Sequence, residues 1–143
     1  MRNYLYLKFI VSALFVATIA IGCKKYEEGP TISLRSKRAR ATNVWQVERA
    51  FIQGLDSTAK FYGYRLIMTK EGYYSFSPPP LWAVSFSIIG SWEFSKDKKS
   101  IYIHYKDAAN KEVKLEYRIY KLMENEFWVF DAASKLEFRF IPA

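Results

Sequence analysis

The sequence predicts an all-β fold, an eight-stranded antiparallel up-and-down barrel preceded by a cleaved signal peptide and a flexible tether. Three observations carry this. From Asn43 onward apolar and polar residues alternate with a period of two, a pattern that suits a half-buried strand. Segments of this kind recur eight times, separated by short turn-forming clusters. Eight consecutive antiparallel strands with short connections can close on themselves and so remove exposed edges. A two-sheet sandwich is the alternative for the same strand count.

The leading segment, 1–22, has the parts of a secretion signal. Arg2 and Lys8 supply positive charge, and Phe9 to Ile21 is an unbroken apolar run ending in a small residue, Gly22. That run of 13 residues falls short of the roughly 20 needed to span the hydrocarbon core. Ala20-Ile21-Gly22-Cys23 resembles the bacterial lipobox, which implies cleavage before Cys23 and lipidation of its thiol. Cys23 is the only cysteine, so an internal disulfide is excluded, and an ordinary signal with a free thiol is the other reading. One acyl chain anchors only marginally, but the lipoprotein pathway implied by this motif adds more than one.

The next segment, 23–42, reads as a basic tether. The formal charge of +8 is unevenly spread: Lys24 to Thr42 carries +4, whereas Asn43 to Ala143 has 14 basic and 12 acidic residues. A domain so nearly balanced argues against nucleic-acid binding. Basic residues beside a membrane anchor are instead attracted to anionic head groups. A merely solvated linker is the competing reading, and the alternation over Pro30 to Leu34 allows part of the tether to pack under the domain.

The domain, 43–143, is divided into strands at 43–52, 61–70, 72–77, 82–95 with a bend at Gly90, 99–106, 111–122, 126–131 and 135–141. In KEVKLEYRIYK, Val113, Leu115, Tyr117 and Ile119 share the inner face, opposite Glu112, Lys114, Glu116 and Arg118. SIYIHYK places Ile101, Ile103 and Tyr105 inside, and KLEFRF does the same with Leu136, Phe138 and Phe140. The joints hold Gly, Asn, Asp and Ser, and the triple proline Pro78-Pro79-Pro80 forms a loop because it lacks three successive N–H donors.

Several stretches resemble the lipocalin-like lipoproteins of the Bacteroidota. They are Glu27 to Lys37, Asn43-Val44-Trp45-Gln46-Val47, Gly72-Tyr73-Tyr74, Gly90-Ser91-Trp92-Glu93-Phe94 and Phe138-Arg139-Phe140. In lipocalins proper the first strand carries Gly-x-Trp, and an arginine near the chain's end covers that tryptophan. Asn43 stands in place of the glycine, Trp45 matches the tryptophan, and Arg139 matches the arginine. The residues alone read Trp45 as an ordinary core aromatic. Glu27 and Glu28 resemble the acidic surface-export signals of that phylum's lipoproteins, which implies an outer-membrane location with cell-surface exposure.

No catalytic constellation stands out, and the chain is expected not to be an enzyme. It has one histidine, His104, on the outer face of its strand, so neither a metal site nor a hydrolytic triad is expected, and no cofactor. The glutamates and aspartates alternate outward or sit in turns, unlike the paired carboxylates of a glycosidase. Aromatic residues are the remaining signal. Tyr62, Tyr64, Phe86, Trp92, Phe94, Tyr105, Tyr117, Phe138 and Phe140 are expected inside, filling the barrel or lining a cup. Trp82, after the prolines, is expected at the rim.

The candidate ligand-binding residues are therefore Trp82, Tyr62, Tyr64, Trp92, Tyr105 and Tyr117, and Cys23 is the lipidation site. Two functions fit: a membrane-anchored module binding a small apolar or glycan ligand, or an accessory subunit of an outer-membrane protein assembly.

Overall fold

The computed structural model describes residues 34–80 and 87–143; Cys23, Phe86 and the rim residue Trp82 lie outside them. Among the described residues nine strands form one sheet: β1 (Asn43–Ile52), β2 (Leu55–Asp56), β3 (Arg65–Met68), β4 (Tyr73–Ser77), β5 (Ile88–Phe94), β6 (Ser100–Lys106), β7 (Glu112–Leu122), β8 (Phe127–Asp131) and β9 (Leu136–Pro142). Every pairing is antiparallel between successive long strands, and β9 returns to β1 from Trp45↔Pro142 to Ile52↔Leu136. The eight long strands are thus a closed up-and-down barrel, as the alternation predicts. The two-residue β2 pairs only with β1 and stands outside the ring.

Closure turns one side chain in two toward the axis. Trp45, Leu66, Met68, Ile101, Ile103, Leu122, Phe127 and Phe140 are fully buried, each adding roughly 1.5–3 kcal/mol. Two β-bulges reset the alternation, at Val47/Arg49 and at Ile119/Lys121. Each adds one residue to its strand, so Ala50 and Leu122 point inward where strict alternation would bury Arg49 and Lys121.

One end is closed by helix α1 (Lys37–Ala41). The Ser36 hydroxyl caps it by accepting from the Ala39 N–H at 3.1 Å. Residues 37–42, the end of the expected tether, are thus part of the domain, with Ala41 completely buried. The Trp45 indole N–H donates to the Ala41 carbonyl at 3.0 Å, joining helix to barrel. Arg38 adds a second tie, donating to the Lys70 carbonyl at 2.7 Å with its guanidinium 4.7 Å from the Trp92 ring centre.

The structure corrects three expectations. Arg139 does not cover Trp45. It faces outward, 4.2 Å from the Trp128 ring and 5.0 Å from Phe51, and donates to Glu137 at 2.8 Å. The strand expected from residue 61 begins only at Arg65. A 3-10 turn, Thr58–Phe61, and a left-handed Gly63 (φ 76°) precede it, and Tyr62 is thrown outside, 75 % exposed. Leu115, placed in the core by its alternation, is only half-buried, because β7 is bare on one side at that point.

Candidate functional site

Three tyrosines enter the barrel from β4, β6 and β7. Tyr74 faces inward because Phe76, two residues on, is buried in the aromatic core beside Phe138 and Phe140. Tyr105 continues the inward row of Ile101 and Ile103, and Tyr117 that of Ile119. Gly90 lies between Tyr74 and Tyr105 in the register, pairing with both. A Cβ there would come within 2.0 Å of the His104 carbonyl oxygen, so β5 can bend and approach β6 this closely only with glycine.

Tyr74 and Tyr117 are 5 % and 7 % exposed as residues; among the described residues nothing hydrogen-bonds either hydroxyl, and neither oxygen is sealed from solvent as the Trp128 indole nitrogen is. Burial pushes both phenols well above their ordinary pKa. For Tyr74 the neighbouring Tyr117 and Tyr105 add to the effect. For Tyr117 the additions come from the Asp131 carboxylate and Tyr105.

The Asp131 carboxylate is buried but satisfied by its own turn, accepting from the Ala133 N–H at 2.9 Å and the Ser134 hydroxyl at 2.5 Å. Beside it the wall is notched. β7 pairs with β6 as far as Glu112, but with β8 only from Arg118 to Leu122. Along the bare stretch runs a cleft of about 480 Å³ lined by Leu115, Glu116, Phe130 and Asp131 among others. Tyr117 lies directly behind it, between two of its lining residues.

Raised tyrosine pKa values couple stability to alkaline pH. The folded chain holds these protons more tightly than the unfolded chain, so the associated stability is complete below the unfolded value, about 10, and is lost above it. The melting temperature should hold steady to about pH 9 and fall above about pH 10. Tyr117→Phe should flatten that fall; an equally steep decline in the variant would contradict the assignment.

The remaining expected site residues take other positions. Trp92 is buried near the closed end, its indole N–H donating to the Thr69 carbonyl at 3.0 Å, which makes it a structural residue. Tyr64 is buried among Phe61 and Phe76. Tyr62 faces water. The sequence reading missed Tyr74; its signal was the parity with Phe76 in Tyr73-Tyr74-Ser75-Phe76. His104 lies on the outer face, 3.3 Å from Glu93 and exposed. Among the described residues no group of three His, Cys, Asp or Glu could hold a metal ion.

No family profile and no curated protein matches the chain. Solved structures do. A lipocalin-like protein from Bacteroides uniformis superposes with a TM-score of 0.57 at 11 % identity, covering 73 % of this chain and 99 % of that one. An uncharacterized protein from Bacteroides eggerthii gives 0.53 at 8 % identity, covering 71 % and 98 %. A DUF4847 family protein from Bacteroides vulgatus gives 0.50 at 12 %, covering 75 % and 96 %. At these identities the likeness speaks for fold, and it extends over nearly the whole of each neighbour. The chain has the barrel fold of the lipocalin-like proteins of Bacteroides.

Proposed function

We propose that this chain is a non-enzymatic binding module, lipid-anchored through Cys23 in the cell envelope. Its ligand is a small, largely apolar molecule that carries a few hydrogen-bonding groups and sits within reach of Tyr74, Tyr105 and Tyr117. One observation carries this: two tyrosines buried in the barrel present hydroxyls that no described residue engages and that are not sealed from solvent. A hydroxyl so placed is free to bond to water or to a ligand that displaces it. An aromatic enclosure with a few convergent polar groups is the usual make-up of a small-molecule site. The notch between β7 and β8 lies beside Tyr117 in the wall.

The proposal makes function and stability pull apart. Without ligand, Tyr74→Phe and Tyr117→Phe should leave the melting temperature close to that of wild type, because neither hydroxyl is bonded to a described residue. With ligand they should lose affinity. Naphthalene and 2-naphthol, similar in size and differing by one hydroxyl, are suitable probes. Wild type should bind 2-naphthol about 3–10-fold more tightly, the worth of one net hydrogen bond, and both Phe variants should erase that preference. Equal binding of the two probes by wild type, or a preference that survives both substitutions, would count against an interior site.

A further inference from the structure

The closed end of the barrel carries a second surface. Between α1 and the β5–β6 turn lies a cleft of about 670 Å³, lined by Lys37, Arg38, Glu93, Phe94, Lys96 and Lys98 among others. Lys99, next in that turn, is exposed as well. With the other turns of this end, where Arg35 pairs with Glu124 and Lys121 with Glu126 and Glu71 lies by Lys70, nine cations stand against five carboxylates, and the excess lies around this cleft, whose two carboxylates are engaged. The Asp97 carboxylate accepts from the Ser95 hydroxyl at 2.6 Å and the Lys99 N–H at 3.0 Å. Glu93 sits 3.3 Å from His104. At the opposite end the turns are mixed in sign, Lys106 and Lys111 alternating with Asp107 and Glu112.

The chain also enters the barrel at this closed end. Leu34, wholly exposed, and Arg35 lead directly into α1, and the 33 residues before Leu34 depart from here. Arg38 ties α1 to the β3–β4 turn and to Trp92, so the helix and its cations are fixed to the barrel.

We propose that the closed end is a docking face for a bilayer surface rich in anionic phospholipid, which leaves the notch and the barrel mouth turned away from the membrane. Charge complementarity supplies the attraction, and it acts only within about a Debye length, ~8–10 Å at physiological salt. Only ten residues separate Cys23 from Leu34, a reach of at most roughly 35 Å, so an anchored chain keeps this end near the membrane and the charge acts once the face comes within that distance. The long lysine side chains let the ammonium groups reach the head-group layer while their stems pack along the protein. The proposal rests on the anchored reading for its proximity and not on the interior ligand.

The test uses the full chain, associated through its own N-terminal segment with vesicles of phosphatidylcholine alone or mixed with phosphatidylglycerol. Lysine acetylation is followed by mass spectrometry. On anionic vesicles Lys96, Lys98 and Lys99 should react several-fold more slowly than on neutral ones, and high salt should abolish the difference. Lys106, Lys111 and Lys135 at the mouth should react equally on both. Equal rates at the closed end on the two vesicle types, protection of the mouth lysines instead, or failure of the chain to associate with anionic vesicles would each overturn the proposal. Because no ligand enters the measurement, its outcome is independent of the naphthol titration.

Discussion

Trp45→Ala should lower unfolding stability by about 3–5 kcal/mol, the range for deleting a large aromatic from a packed core. Trp45 is 0 % exposed, its ring lies 5.6 Å from Phe127, and its indole N–H is the bond that holds Ala41 and α1 against the barrel. Removing it opens a cavity and leaves the Ala41 carbonyl without its donor. A domain of this size has only about 5–15 kcal/mol in hand, so the urea midpoint should fall by a large fraction. A conservative Trp45→Phe keeps most of the volume and should cost markedly less. If both variants unfold at the wild-type midpoint, the tryptophan is not the junction described.

Gly90→Ala should be comparably damaging for the opposite reason. Its Cβ would sit 2.0 Å from the His104 carbonyl oxygen and 3.0 Å from the Tyr105 Cβ, and the first of these is backbone that cannot swing aside. The β5–β6 pair would have to part at Gly90↔Tyr105, inside the wall and beside the proposed site. Overpacking typically costs 1–3 kcal/mol and occasionally more; a clash with sheet backbone belongs at about 3 kcal/mol or above. Gly54→Ala is the control. Nothing lies within 4 Å of its Cβ, and only its φ of 81° is unfavourable, so about 1 kcal/mol is expected. Equal denaturation midpoints for the two variants would show that β5 tolerates the side chain.

Much of this architecture was legible in the sequence because a closed barrel writes a two-residue period into every wall strand. Ile101, Ile103, Phe138 and Phe140 are buried as their alternation requires. What escaped was set by events of one or two residues. The bulge after Val47 moves Ala50 inward, and its trace, a small apolar residue out of phase, is too slight to read without the partner strand. Phe61-Tyr62-Gly63-Tyr64 alternates like a strand, but the left-handed Gly63 and the Tyr64 N–H to Phe61 carbonyl bond turn it away. Helix α1 is five residues long, below any periodic signal, and only Ser36 marks its start.

The candidate site was harder still. Tyr105 and Tyr117 could be placed inside by parity, but their meeting with Tyr74 and Asp131 depends on how the barrel closes. The notch arises because β7 outruns β8, a difference in strand length that no local pattern announces. Trp82, the candidate expected at the rim, lies outside the described residues, which draw attention to the interior.

Interior binding is the central claim, and tyrosine labelled with ¹³C at Cζ tests it most directly. On titration with 2-naphthol the signals of Tyr74, Tyr105 and Tyr117 should move together with one dissociation constant. That of the exposed Tyr62 should stay where it is. Movement of Tyr62 alone, with the three interior signals unchanged, would place recognition on the outside of the barrel and contradict the account.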